Sequence, residues 1–215
     1  MNNQSYTKDL EGKQIKEIFC SAENISKLHK TLISKRGEYF RRKLLHSLEK
    51  ELSFDDICRL RTAAELQEAQ RHLNKLLEFQ LIERIKKGEL DIYKRTPKGE
   101  KAINALRALE VDIGRGEAHK IYLASLGTNS IKLFLRVYGD KREADLKTRK
   151  IKYTPFEIGN MSSFLPRNIE GIAAIDKLSD AELLIYEEDG NIYLNPKKAR
   201  GFYKYLKSLY KIITH

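Results

Sequence analysis

The chain has no tryptophan and, in 215 residues, only two cysteines, two methionines and four prolines. Cys20 and Cys58 make no spaced framework, which excludes a disulfide-stapled scaffold and fits a reducing compartment. With few prolines and twelve glycines, breakers are sparse, a composition suited to helices rather than to a sandwich of many short strands. No run approaches eighteen apolar residues, so no membrane-spanning helix is expected. The opening MNNQSYTKDLEGKQIK holds no apolar stretch of signal-peptide length. A cytoplasmic location follows as the expectation. The hydrophobic share of 41% is too high for a disordered chain.

Acid is also in short supply. Thirty Asp and Glu stand against 41 Lys and Arg, a formal net charge of +11. That imbalance favours polyanionic partners, whether DNA, RNA or an anionic membrane surface, although charge governs association rather than fold.

Catalytic patterns are missing as well. His29, His46, His72, His119 and His215 are scattered, with no HExxH and no pair four residues apart. No GxxxxGK[ST] occurs, and the GRG at 114–116 lacks the strand–loop–helix setting of a nucleotide site. Ser5 and Lys8 have the spacing of a serine–lysine pair but lie in a polar terminus without partner motifs. Carboxylates sit beside lysines on helix faces, where solvated ion pairing is the default. Neither catalytic residues, nor a metal site, nor a cofactor is expected, and the chain does not read as an enzyme.

What is present is a succession of periodic segments. Residues 1–36 read as a polar start followed by one or two short helices. A helix from about Gly37 to Lys50 places Tyr39, Phe40, Leu44, Leu45 and Leu48 on one face and Arg41, Arg42 and Lys43 on the other. Ser53-Phe54-Asp55-Asp56 starts a short helix with a serine cap and carboxylates in the first turn. A longer amphipathic helix covers about Ala64–Phe79, with Leu66, Ala69, Leu73, Leu76 and Leu77 as its apolar stripe. Leu81–Ile85 and Leu90–Arg95 read as paired strands around a turn at Lys86–Glu89. Thr96-Pro97 opens a last helix through Leu109.

This order, carried by HLNKLLEFQLIERI (72–85), the turn at Lys86–Glu89 and TPKGEKA (96–102), resembles the winged helix-turn-helix superfamily, notably MarR-like and ArsR-like regulators. A repeat follows at an offset of 102. AIDKLSDAELLIYE (174–187) matches 72–85, with Lys75/Lys177, Leu76/Leu178 and Leu81/Leu183 identical. Glu188–Asn191 stands where the first turn stands, and Asn195-Pro196 where Thr96-Pro97 stands. Upstream, Thr154-Pro155-Phe156-Glu157 is a capping box with proline at the first helical position.

The expected fold is thus mainly α with small β-hairpin wings, an α+β tandem winged helix-turn-helix. Its parts are an N-terminal helical extension (1–36), a first unit (37–110), a linker (111–118) and a second unit (119–215).

The resemblance implies that the third helix enters the major groove of double-stranded DNA while the wing touches phosphates. In the first unit the candidates on that helix are Gln67, Gln70, Arg71, Asn74 and Lys75. Lys86, Lys87, Lys94 and Arg95 make the wing basic. Arg41 and Arg42, in the basic stretch 35–43, are candidates for holding the DNA backbone. The second unit reads differently, with Glu187-Glu188-Asp189 at its wing tip and an aromatic last helix. It is expected to serve self-association, as in a homodimer, or partner binding. The implied function is a sequence-specific transcriptional regulator, nucleoid-associated within the cytoplasm. The alternative is a chromosome or plasmid maintenance factor acting through protein contacts. Plasmid replication initiators and condensin-associated subunits also carry tandem winged helices.

Overall fold

The computed structural model describes residues 3–33, 38–59, 66–113, 122–140, 152–161, 168–188 and 191–215. It is mainly helical with two small antiparallel sheets. Helices α1 (Asn3–Cys20) and α2 (Ala22–Leu32) meet at Ser21, so the expected short start is one long helix and one of ordinary length. The first sheet assembly follows as α3 (Glu38–Ser47), β1 (Leu52–Ser53), α4 (Phe54–Arg59), α5 (Leu66–Glu78), β2 (Ile82–Lys87), β3 (Leu90–Arg95) and α6 (Pro97–Ile113). The second runs α7 (Thr128–Tyr138), β4 (Lys152–Tyr153), α8 (Pro155–Met161), α9 (Asn168–Asp180), β5 (Leu184–Tyr186), β6 (Ile192–Leu194) and α10 (Pro196–Thr214).

Local chemistry sets these boundaries. At α4 the Asp56 amide donates to Ser53 Oγ at 3.1 Å, and the Ser53 amide donates back to the Asp56 carboxylate at 3.1 Å. Thr154 and Glu157 repeat the exchange at α8, at 3.2 and 2.8 Å. Each box satisfies two amides that the helix start would leave open. The β2–β3 hairpin is tighter than the sequence implies. Lys86 pairs with Asp91 and Lys87 with Leu90, leaving a two-residue turn at Gly88–Glu89. Gly88 takes φ +64, the left-handed value such a turn needs at its first position and that glycine adopts without cost.

Both sheets have three strands, in the orders β1-β3-β2 and β4-β6-β5. This corrects the expectation of two-stranded wings. The third strands, β1 and β4, are two residues long, too short to show any alternation. The likeness between the halves goes deeper than the sequence match. Gln80 (φ 55) and Glu182 (φ 53), 102 residues apart, both take left-handed backbone after their helices. Leu81 then donates to the Leu76 carbonyl and Leu183 to that of Leu178, each at 2.9 Å. This is one helix-ending hydrogen-bond pattern used twice.

The buried apolar residues form one contiguous cluster rather than two separate cores. Its centre is α2, which packs on α3 of the first assembly and on α7 and α10 of the second. The end of α1 and helix α2 are therefore built into this core: Ile18, Ala22, Ile25 and Leu28 are fully buried. Among the described residues the broadest helix pairing is α6 on α10, and Gly201 makes it possible. A Cβ there would lie 2.4 Å from the Cβ of Asp112.

Phe202, Tyr203 and Tyr205 of α10 are spent in this core. Phe202 meets Phe134 edge-on with centroids 5.0 Å apart, and Tyr203 stacks on Tyr138 at 4.5 Å. These three α10 side chains therefore offer no open apolar area for the self-association expected of the second unit. Fully buried His29 joins α2 to the same cluster. Its Nε2–H donates to the Leu123 carbonyl at 2.8 Å, which fixes the tautomer and leaves Nδ1 to accept from Tyr205 Oη at 3.2 Å.

Candidate nucleic-acid interface

Helix α5 buries Ala69, His72, Leu73 and Leu76, so its 3.6-residue period turns Gln70, Arg71 and Asn74 outward, with Glu68 and Glu78 at the margins. Gln70 Nε2 donates to Asn74 Oδ1 at 2.9 Å. This bond orders the two amides along one turn and leaves the Gln70 oxygen and the Asn74 amino group facing out. Lys75 is half-buried. Gln67 is helical, but its side chain lies outside the described residues.

The hairpin β2–β3, which packs against α5, holds its cations in different ways. Lys86 and Lys87 are exposed at the tip. Lys87 pairs with Glu51 and holds that carboxyl below its ordinary range. Lys94 is half-buried opposite Glu83 in the sheet register. Arg84, overlooked in the sequence, is exposed on the strand and stands 3.8 Å from Asp91.

Three candidates are engaged elsewhere. Arg95 is only 11% exposed; it donates to the Leu45 carbonyl at 3.1 Å and pairs with Glu100 at 2.7 Å. Arg42 pairs with Glu110 between α3 and α6. Arg41 is 2% exposed, and its guanidinium donates to the carbonyls of Thr31 at 2.6 Å and Lys30 at 3.4 Å and to His72 Nδ1 at 3.0 Å. It therefore caps the last carbonyls of α2, where a cation complements the helix dipole, and braces α5 through His72. The reading of Arg41 as an outward-facing backbone contact is corrected, because a buried guanidinium cannot reach a phosphate. His46 lies among Arg42, Arg95 and Arg107 and is held below its ordinary range by partial burial first and by these cations second.

The same positions in the second assembly have other chemistry. Ile172 occupies the place in α9 that Gln70 has in α5 and is 60% exposed, and Phe156 on α8 is 76% exposed. Ala173 and Asp176 stand for Arg71 and Asn74. Among the described residues, no group of three His, Cys, Asp or Glu side chains could hold a metal. No helix among them is long and apolar enough to cross a membrane. Burial and nearby Asp55 raise the Cys58 thiol, which keeps it protonated. No family model, curated protein or solved structure matches the chain.

Proposed function

We propose that the two sheet assemblies are winged helix-turn-helix units and that the chain is a non-enzymatic, sequence-specific DNA-binding protein acting as a transcriptional regulator. The element order, the sheet order and the helix ending shared at an offset of 102 support the tandem reading. The observation that carries the function is the outward Gln70–Arg71–Asn74 face of α5, packed beside a hairpin tipped by Lys86 and Lys87. Glutamine and asparagine match adenine edges and arginine matches guanine in the major groove, while tip lysines suit phosphates.

The wing is tested by salt. Each lost phosphate contact should flatten the dependence of log affinity on log salt by roughly 0.9. Lys86→Ala should show close to that full change on any duplex. Lys94→Ala should show less, since Lys94 is half-buried beside Glu83. Titrations by fluorescence anisotropy across salt concentrations would measure both, and an unchanged slope for Lys86→Ala would remove the wing from the interface.

A second reading is favoured by Ile172 and Phe156. Large exposed apolar side chains mark contact surfaces; Ile172 stands where the first unit presents Gln70, and Phe156, the counterpart of Phe54, is exposed on α8. On that reading the second unit binds a partner protein or a second copy of the chain, and the protein is a chromosome or plasmid maintenance factor with little sequence preference.

A further inference from the structure

We infer that the outer face of α10 is a second phosphate-binding surface for duplex DNA, separate from the base-reading face of α5. This inference rests on the DNA-binding reading and extends it to the second unit. Helix α10 is 19 residues long and contains no Asp or Glu. Lys197, Arg200, Lys204, Lys207 and Lys211 recur at alternating steps of three and four residues, which places all five on one face. Four are exposed and Lys207 is half-buried. None of the five side chains forms an ion pair among the described residues. The neighbouring Lys198 does pair, with Glu182. The first unit contrasts with this, because Arg42, Arg84, Lys87 and Arg95 all have carboxylate neighbours.

Like charges at such spacings repel, and a polyanion laid along the face would relieve that repulsion. From Lys197 to Lys211 the helix rises about 21 Å, the length of about six phosphates on one strand of a duplex. The buried side of α10 narrows the choice of partner. Single-stranded nucleic acid is gripped by stacking on exposed aromatics, yet Phe202, Tyr203 and Tyr205 are buried, and the half-buried Tyr210 packs against the core and donates its hydroxyl to Glu17 at 3.3 Å. An interfacial membrane helix inserts an open apolar face, and here that face is inside the protein. A duplex backbone needs neither.

The test uses the full chain with Lys197, Arg200, Lys204, Lys207 and Lys211 all changed to Gln, and a duplex of random sequence as the probe. Circular dichroism should show an unchanged fold and an unchanged or higher Tm. Affinity at moderate salt should fall by about tenfold or more, and the salt slope should flatten by roughly three to four units, at about 0.9 per contact. If the variant matches the parent in affinity and slope, the α10 surface is refuted while the α5 reading stands. If the parent binds no duplex at all, both fail. If the parent binds phosphatidylserine vesicles and the substitutions abolish that while leaving duplex binding intact, the face belongs to a membrane and the inference is overturned.

Discussion

Replacing Arg41 with alanine should destabilise the folded chain by about 3 kcal/mol or more. Hydrogen bonds to a charged group contribute about 1.5–3 kcal/mol each, and the truncation leaves a buried gap besides. The guanidinium serves the Thr31 and Lys30 carbonyls and His72 at once, so its loss strips the cap from α2 and the brace from α5 together. Arg41→Lys should recover only part of the loss, because an ammonium lacks the planar fork that reaches partners in different directions. Urea denaturation of both variants measures this. A change below about 0.5 kcal/mol, the level of an ordinary surface substitution, together with weakened DNA binding, would return Arg41 to the role of a phosphate contact.

Acid should loosen the fold through His29. Burial drives its pKa from 6.5 down to about 4, while its bond to the Leu123 carbonyl opposes that shift only partly. The folded state therefore binds the proton less readily than the unfolded state. Above pH 6.5 the ring is neutral in both states and its contribution is intact. As pH falls from 6.5 towards 4, the unfolded chain takes up a proton that the folded one refuses, and stability declines. The full loss from this group is on the order of 3 kcal/mol and is complete near pH 4. His29→Gln, which cannot titrate, should be less stable at neutral pH, since it disturbs the bonds to Tyr205 and Leu123. Its stability should fall less steeply than the parent's across the same interval. Equal slopes in parent and variant would show that other groups govern the acid limb.

These two residues also mark where the sequence was legible and where it was not. Boundaries set within one turn could be read directly: Ser53 with Asp56, Thr154 with Glu157, Thr96-Pro97 and Asn195-Pro196. Arg41 was misplaced despite a usable signal. It falls three, four and seven residues before Leu44, Leu45 and Leu48, on the stripe those leucines bury. A charged residue there must be capped or paired inside, as it is. His72 repeats the lesson, three residues after Ala69 and four before Leu76. The left-handed Gln80 and Glu182 gave no signal, because glycine or asparagine is the usual occupant. The single core was beyond local pattern altogether, since His29 meets Tyr205 across 176 residues. Of the candidate site, the outward face of α5 and the tip of the β2–β3 hairpin were legible from period and turn. The stripe on α10 was visible in its spacing, and the burial of Phe202, Tyr203 and Tyr205 shows that the basic residues form the outer face.

The central claim, that α5 of the first unit reads DNA, is tested most directly by selecting bound duplexes from a random pool with the parent and with Gln70→Ala and Arg71→Ala. Both side chains are exposed, so the variants should fold as the parent does. The parent should enrich a defined sequence, and each variant should relax preference at one position, with a penalty of about 1–3 kcal/mol lost there. Enrichment of the same sequence by all three proteins, or of none by the parent, would contradict the claim.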